Sequence, residues 1–182
     1  MRKIILASKS PRRKELLSQI VEDFEIKVST SKEKRPIFVS NKKVPVYLAK
    51  QKAKEVFKSN KDAIVIGADT VVIVNNEILG KPKDKQDVRR MITMLSDNTH
   101  IVVTGVYIIS KEYRKSFSSI TKVTFKKMSE QEIDEYCLLD TVYDKAGAYA
   151  IQSEAKQYIT KIEGDYNNVV GLPIDELKKY LY

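Results

Sequence analysis

The feature that most constrains the fold is an apolar segment near the start of the chain that runs straight into a capped helix. Residues 4–7 are Ile, Ile, Leu and Ala, which predicts a short buried strand. Ser10 is a favoured helix N-cap, and Pro11 suits the first helical position because proline has no N–H to leave unpaired. A strand, a short polar turn and a helix are therefore expected in this order.

The predicted helix begins with three cations, Arg12, Arg13 and Lys14. The helix macrodipole disfavours positive charge in a first turn, where surface helices usually carry acidic residues. Cations gathered beside free backbone amides and the Ser8 and Ser10 hydroxyls suit a polyanion such as a phosphate chain. The alternative is a capped helix whose basic side chains are only solvated.

Strand and helix patterns alternate through the first half of the chain, which predicts an α/β protein with at least part of its sheet parallel. A hairpin is predicted where two apolar segments flank polar residues 110–115, so the sheet is expected to be mixed. The polar, lysine-rich segment 30–44 is predicted to be a loop, and loops of this length are often functional. Strands are predicted at residues 3–7, 24–29, 63–74, 100–109, 116–127, 148–152 and 158–163, and helices at 11–20, 45–58, 84–96, 129–138 and 173–181.

Length and charge narrow the class of partner. The 182 residues suit one domain spanning residues 1–182. Lysine and arginine number 33 against 24 acidic residues, which gives a formal net charge of +9. Such a charge favours nucleic acid, an anionic membrane or a phosphorylated small molecule as a partner. The alternative is a lysine-rich surface that is merely solvated.

Cysteine and histidine are scarce, which excludes several kinds of chemistry. The single Cys137 rules out an intramolecular disulfide and a multi-cysteine zinc site, and its helical context indicates a core position. Any Ser-His-Asp or Cys-His machinery would have to use the single His100, which is interpreted as structural. A metal site would then consist mostly of carboxylate oxygens, which favour Mg²⁺ or Mn²⁺ over zinc.

Membrane and export signals are not predicted. The apolar run at 4–7 is too short for a signal peptide, and the sequence contains no transmembrane run. A cytoplasmic location without a membrane partner is the expectation.

The segment 64–74 carries the candidate catalytic acid. It reads IVIGADTVVIV, so Asp69 lies inside an apolar strand, where a carboxylate is costly to bury without a metal or a hydrogen-bond partner. Gly67 and Ala68 leave the backbone bare, which is interpreted as room for the close approach of a ligand. The alternative is a carboxylate that caps a turn.

Further polar residues lie in three other segments. Lys52 lies beside the apolar stripe of its predicted helix and is placed to reach into a cleft or to snorkel into solvent. Lys81 is fixed in a loop by Gly80 and Pro82, where it could contact phosphate oxygens beside Asp69. The segments 144–152 and 164–173 are polar and rich in small residues, which is also typical of ordinary turns.

Together these segments resemble the Maf family, described as septum-formation inhibitor Maf-like proteins and nucleoside triphosphate pyrophosphatases. The resemblance covers nearly the whole chain. It is carried by seven motifs in order: LASKSPRRKELL at 6–17, LAKQKA at 48–53, GADTVV at 67–72, ILGKPKD at 78–84, HIVVTGV at 100–106, DKAGAYAIQ at 144–152 and NVVGLP at 168–173.

The resemblance implies an elongated mixed β-sheet flanked by helices, similar to inosine triphosphate pyrophosphatases, with a cleft between two lobes. It implies hydrolysis of a nucleoside triphosphate to the monophosphate and pyrophosphate with Mg²⁺ or Mn²⁺, in a homodimer. The matching positions assign catalytic roles to Asp69, Lys81 and Glu33, metal binding to Asp69 and Glu33, and substrate binding to Ser8, Arg12, Arg13, Lys52, Thr70 and Gln152.

The ending AYAIQ at 148–152 resembles the subfamily that acts on dTTP and UTP, whereas relatives that act on methylated GTP carry an acid near Gln152. CTP or modified pyrimidine nucleotides are further candidates, in a house-cleaning role. Asp97 and Asn98 depart from the family pattern, in which a glycine is usual before His100. The competing hypotheses are a nucleic-acid-binding protein and a nucleotide-binding regulator of division without catalysis. No aromatic residues interleave with a basic face, so no stable nucleic-acid complex is expected.

Overall fold

A mixed β-sheet flanked by helices forms the fold. The computed structural model describes residues 3–30 and 33–181. Its strands are β1 (Ile4–Leu6), β2 (Glu25–Ile26), β3 (Ile64–Val74), β4 (Glu77–Leu79), β5 (Thr99–Ile109), β6 (Arg114–Phe125) and β7 (Ile159–Glu163). Its α-helices are α1 (Pro11–Ser18), α2 (Val44–Lys58), α3 (Lys85–Leu95), α4 (Glu130–Tyr136), α5 (Tyr166–Val170) and α6 (Ile174–Lys178). Short 3₁₀ helices lie at Asn41–Lys43, Asp140–Val142, Ala146–Ala148 and Glu154–Tyr158.

The strand order is β2-β1-β3-β5-β6-β7, and β4 pairs with the far end of β3. β1 runs parallel to β2 and β3, whereas the pairs β3–β5, β5–β6 and β6–β7 are antiparallel. The predicted mixed sheet is therefore confirmed, and so is the hairpin, which β5 and β6 form around residues 110–113.

One edge of β3 is only partly covered. β1 pairs with Ile64, Val65 and Ile66, and β4 pairs with residues 72–74. Within the described ranges, no strand pairs with residues 67–71 on this edge. Asp69 and Thr70 lie in this gap, so the edge of the sheet leaves room beside them for other groups.

The core residues of β3 belong to two lobes. Ile66 and Ala68 pack in a cluster that includes residues of α1 and α6. Val72 and Val74 pack in a second cluster that includes residues of α3 and α4. Thr70 lies between these residues on the same face of the strand, because side chains alternate between the faces of a sheet. The predicted two-lobed architecture is confirmed, and its cleft lies at the middle of β3.

Helix α2 packs unusually close to the other face of the sheet. A Cβ atom at Gly67 would lie 2.2 Å from the Ala49 carbonyl oxygen, and one at Gly105 would lie 2.2 Å from the Val46 nitrogen. The interpretation of Gly67 as room for a ligand is therefore wrong. The missing side chain makes room for α2, whose backbone occupies that space.

The structure also differs from the sequence predictions at four other places. Residues 148–152 do not form a strand: Gly147 and Ala148 have left-handed φ angles of 68° and 59°, and residues 151–153 form a turn. Strand β4 was not predicted; it follows a two-residue turn in which Asn75 and Asn76 have φ angles of 48° and 63°. Asparagine is favoured in such turns, which match the twist of antiparallel strands. Helix α5 was not predicted, and the C-terminal helix is shorter than the expected 173–181.

Met1, Arg2, Ser31, Lys32 and Tyr182 lie outside the described residues, so part of the predicted domain and of the predicted loop 30–44 is not covered. None of the helices formed by the described residues combines the length and apolar character needed to cross a bilayer.

Candidate active site

A cavity of about 830 Å³ lies at the uncovered edge of β3, a volume typical of small-molecule sites. All nine predicted site residues line it, although they come from six separate segments of the chain. These residues are Ser8, Arg12, Arg13, Glu33, Lys52, Asp69, Thr70, Lys81 and Gln152.

The first wall of the cavity is the turn from β1 into α1. The predicted cap is confirmed: the Ser10 hydroxyl accepts a hydrogen bond from the backbone N–H of Arg13 at 3.4 Å, and Pro11 occupies the first helical position. Ser8 is buried, and its hydroxyl accepts from the Ser10 N–H at 3.3 Å. The cap fixes the start of α1 so that Arg12 and Arg13 both line the cavity.

The centre of the cavity is an ionic cluster of Lys52 with two carboxylates. The Lys52 Nζ lies 2.5 Å from Asp69 Oδ1 and 3.1 Å from Glu33 Oε1. The side chains of Lys52 and Asp69 are each only 13% exposed, whereas that of Glu33 is 48% exposed. Burial raises the pKa of Asp69 above its ordinary value, although the charges of Lys52 and Arg13 oppose the shift.

The loop that carries Glu33 is fastened to helix α2 by a residue that the sequence did not single out. The Gln51 side chain accepts from the Lys34 N–H at 3.1 Å and donates to the Lys34 carbonyl at 2.7 Å. Glu55, one turn later, accepts from the Thr30 N–H at 3.1 Å. The only sequence signal for Gln51 is its place beside Lys52 in the LAKQKA segment.

Arg13 is held by three protein groups from distant parts of the chain. Its Nε–H donates to the Gly171 carbonyl at 2.8 Å, Nη1 donates to Ser8 Oγ at 3.2 Å, and Nη2 donates to Thr70 Oγ1 at 2.9 Å. Burial lowers the pKa of Arg13, and the nearby Asp69 carboxylate opposes this effect. The guanidinium stays charged at neutral pH because its ordinary pKa is so high.

Behind Thr70 lies a buried polar network that was also missed. Thr104, directly opposite Thr70 on β5, is fully buried, as is Asn168 at the segment NVVGLP. The two threonine hydroxyls are 2.8 Å apart, and the backbone N–H of Thr104 donates to Asn168 Oδ1 at 3.0 Å. The polar turn predicted for 164–173 is therefore a helix start that inserts an amide into the sheet.

A second wall of the cavity comes from the loops around Lys81 and residues 144–153. The Gly147 N–H donates to the Gly80 carbonyl at 2.9 Å and joins these two loops. Lys81 and Gln152 are exposed, as suits groups that meet a ligand from solution. Lys145 lines the same wall and donates to Asp144 Oδ1 at 2.6 Å.

His100 is buried and lies behind this wall, which agrees with the structural role interpreted from the sequence. Its Nε2 is 2.6 Å from the Tyr149 hydroxyl, and its ring makes edge contacts with Phe125 and Tyr149. Burial lowers the pKa of His100 to about 4, so the ring is neutral at physiological pH. Tyr149 lines the cavity, and His100 therefore contacts the wall but not the cavity itself.

The ionic cluster contains carboxylate oxygens, which are ligands that a divalent cation such as Mg²⁺ prefers. The described residues contain no group of three or more His, Cys, Asp or Glu side chains that could hold a metal ion. Asp69 and Glu33 nevertheless direct two carboxylate oxygens at a single cationic group, Lys52. One or two carboxylates with substrate phosphates are the usual ligands of Mg²⁺ in nucleotide enzymes.

The sheet and its cleft define an α/β protein with the Ham1 type of fold. The structure resembles the Staphylococcus aureus Ham1 protein with a TM-score of 0.56 at 14% identity, covering 99% of this chain and 98% of that one. A HAM1 protein from Coxiella burnetii gives a TM-score of 0.55 at 13% identity, covering 100% and 98% of the two chains. At these identities the likeness concerns the fold alone.

The chain belongs to the family of Maf-like proteins, whose family model matches residues 3–182. A relative from Bacillus cereus named dTTP/UTP pyrophosphatase is 47% identical over 181 residues, covering all of this chain and 95% of the relative. A relative from Bacillus anthracis with the same name is also 47% identical, with the same coverage. The family resemblance inferred from the seven motifs is confirmed.

Proposed function

We propose that this protein is a nucleoside triphosphate pyrophosphatase that hydrolyses dTTP and UTP to the monophosphate and pyrophosphate. The observation that carries the proposal is the cavity itself. Among the described residues, six cationic side chains line it around the buried carboxylate of Asp69: Lys9, Arg12, Arg13, Lys52, Lys81 and Lys145. The relatives named dTTP/UTP pyrophosphatase, at 47% identity over the full chain, support the same activity.

The cationic side chains of the cavity can stabilise the negative charge of the pyrophosphate leaving group. Hydrolysis at the α-phosphorus breaks the bond between that phosphorus and the bridging oxygen, so negative charge develops on departing pyrophosphate. Arg12 and Lys81 both line the cavity, from separate segments, and can neutralise this charge as it forms. Arg13 contributes a fixed charge, because protein groups already hold three of its five N–H donors.

Asp69 is the best candidate for the general base. A water molecule attacks the α-phosphorus and forms the new P–O bond, and its proton passes to the Asp69 carboxylate. Burial favours this role, because a raised pKa makes the carboxylate a stronger base than a surface aspartate. Lys52 orients the carboxylate through the 2.5 Å contact with Oδ1.

A divalent cation completes the proposal, with Asp69 and Glu33 as the residues that would hold Mg²⁺ or Mn²⁺. Such an ion, when bound, supplies positive charge to the phosphate oxygens of the substrate. We expect turnover to vanish in EDTA and to return on addition of excess Mg²⁺ or Mn²⁺. Full turnover in chelator would remove the metal from the proposal.

The base preference is assigned to Gln152, which lines the cavity. An amide offers both a donor and an acceptor, as the O4 and N3–H groups of a uracil or thymine ring require. CTP and modified pyrimidine nucleotides remain further candidate substrates. A homodimer in the cytoplasm, with a nucleotide and not a nucleic acid as the bound ligand, belongs to the same proposal.

A screen of nucleotides with detection of released pyrophosphate tests the proposal. Ribonucleoside, deoxyribonucleoside and modified triphosphates are each incubated with the protein, and light scattering gives the oligomeric state. Pyrophosphate release from dTTP and UTP, with no retention on DNA at physiological salt, is the expected outcome. Binding of nucleotides without pyrophosphate release would instead favour a regulator without catalysis.

A further inference from the structure

A chain of hydrogen bonds runs from the cavity into the buried part of the sheet. Arg13 Nη2 donates to Thr70 Oγ1 at 2.9 Å, and Thr70 Oγ1 lies 2.8 Å from Thr104 Oγ1. Thr104 Oγ1 in turn donates to the Asn168 carbonyl oxygen at 2.9 Å. The last two members, Thr104 and Asn168, are fully buried and do not line the cavity.

In each of these hydrogen bonds, the donor and the acceptor follow from the chemistry of the two groups. A carbonyl oxygen only accepts, so the single hydroxyl hydrogen of Thr104 is used on Asn168. Thr104 must therefore accept from Thr70, and the Thr70 hydrogen is used in turn. Thr70 Oγ1 then presents only lone pairs to the cavity side, which is the arrangement that the N–H of Arg13 requires.

The Asn168 side chain holds the buried end of this series of hydrogen bonds, and its amide has one favoured orientation. Its Oδ1 accepts from the Thr104 N–H at 3.0 Å, and its Nδ2 donates to the Val102 carbonyl at 3.0 Å and to Thr121 Oγ1 at 2.9 Å. A rotated amide would place a donor against an N–H and an acceptor against a carbonyl, so this orientation is the favoured one. Every hydrogen-bonding group of this side chain has a partner, which makes the anchor rigid.

We propose that Thr104 and Asn168 are positioning residues that act through Thr70 to hold the Arg13 guanidinium for the phosphate chain. Without the Thr104 hydroxyl, the Thr70 hydrogen loses its acceptor and becomes free to turn toward Arg13. The guanidinium would then face a donor where it now finds an acceptor. This inference rests on the proposed function, since it assigns the substrate's phosphates to Arg13.

A double-mutant cycle on Thr70 and Thr104 tests the inference. Thr104→Val keeps the shape of the side chain and removes the hydroxyl, and we expect kcat/KM for dTTP to fall about tenfold. Thr104→Ser restores the hydroxyl and should stay within about twofold of wild type. In a Thr70→Val background, Thr104→Val should change kcat/KM less than about twofold, because the intermediary is already missing.

Thr99→Val is the matched control. Thr99 also lies on β5 and also pairs its hydroxyl with a threonine on a neighbouring strand, Thr124 at 2.8 Å, but this pair is exposed and remote from Arg13. It should leave kcat/KM unchanged. An effect of Thr104→Val that is equally large with and without Thr70, or no effect in either background, would overturn the proposal. Should Thr104→Val not fold, Thr104→Ala enters the same cycle with the same outcomes.

A second readout does not depend on turnover and separates this inference from the proposed function. The Arg13 Nε–H signal, identified by its loss in Arg13→Lys, reports how firmly the guanidinium is held against Gly171. We expect Thr104→Val to accelerate its hydrogen exchange at least about fivefold, and Thr104→Ser to leave it near the wild-type rate. Absence of triphosphate hydrolysis in wild type would refute only the proposed function, whereas unchanged Arg13 exchange in Thr104→Val would refute the positioning role.

Discussion

Lys52 Nζ lies 2.5 Å from Asp69 Oδ1 and thereby joins helix α2 to the middle of strand β3. This contact requires α2 to lie almost on the sheet. Gly67, two residues before Asp69 on the same face of β3, provides the necessary space because α2 backbone occupies the position of its absent side chain. The packing of the helix and the pairing of the two charges are therefore parts of one arrangement.

Gly67→Ala is predicted to lower the free energy of unfolding by about 1–3 kcal/mol, the usual cost of overpacking a core. The new methyl group would meet the backbone oxygen of Ala49, which cannot move without the whole helix. Gly80→Ala is the control, since a Cβ at Gly80 has no neighbour within 4 Å. Urea unfolding compares the two variants. Equal stability of Gly67→Ala and wild type would show that α2 does not need this close approach.

Asp69→Asn is predicted to abolish turnover and to leave nucleotide affinity within about tenfold of wild type. The amide keeps the shape of the side chain but neither accepts the proton of water nor carries the charge. Single-turnover kinetics and calorimetry with dTTP measure the two effects separately. Asp62→Asn, at an exposed carboxylate, is the control and should retain activity. Activity of Asp69→Asn near the wild-type level would contradict the assignment of Asp69 as the base.

The pH profile of kcat/KM should report the buried environment of Asp69. Its pKa is raised by burial, so the carboxylate is protonated and inactive as a base at a higher pH than a surface aspartate. Activity is then lost as pH falls through this raised pKa. In Lys52→Met an opposing positive charge disappears, and the acidic limb should move to still higher pH. Lys54→Met, an exposed lysine of the same helix, should leave the limb in place.

The sequence correctly predicted those parts of the fold that are set by interactions between residues close together in the chain. Ser10 and Pro11 start α1 because a cap and a fixed φ act within one turn, and the apolar run of β3 forms a central strand. The residue patterns indicated six of the nine site residues, the resemblance added Glu33, Thr70 and Gln152, and the cavity brings all nine together. Their individual roles stay predictions.

The missed features depend on contacts between distant segments. The role of Gly67 was predicted wrongly, as room for a ligand, because only the tertiary structure shows that α2 lies against it. Asn168 reads as a turn residue in the sequence, yet its amide joins strands that are more than 40 residues away, through Val102 and Thr121. Residues 148–152 have a strand-like composition, but the left-handed φ angles of Gly147 and Ala148 turn the chain at the start of this segment.

His100 should make stability depend on pH between its two pKa values. Burial lowers its pKa from 6.5 to about 4, so between these values the unfolded chain binds a proton that the folded chain does not. Stability therefore falls as pH decreases from 6.5 to about 4, by up to about 3 kcal/mol, and this contribution stays constant at lower pH. The free energies of unfolding of wild type and His100→Phe are compared across this pH range. Because the chain has a single histidine, the difference between the two proteins reports His100 alone among the histidines. Parallel pH dependences of the two proteins would contradict the prediction.

Gln152 is predicted to set the preference for pyrimidine nucleotides. Gln152→Glu is expected to lose activity on dTTP and UTP, because a carboxylate cannot donate to the O4 oxygen of a pyrimidine. A site built around a hydrogen bond discriminates strongly against a ligand that leaves it unpaired, so the loss should reach at least about a hundredfold in kcat/KM. Gln157→Glu introduces the same charge at an exposed position of the neighbouring 3₁₀ turn and should retain the wild-type preference. Assays with dTTP, UTP, CTP, ATP and GTP decide the matter. If wild type hydrolyses the purine triphosphates faster than dTTP and UTP, the pyrimidine preference is wrong, and Gln152 then serves only to shape the cavity wall.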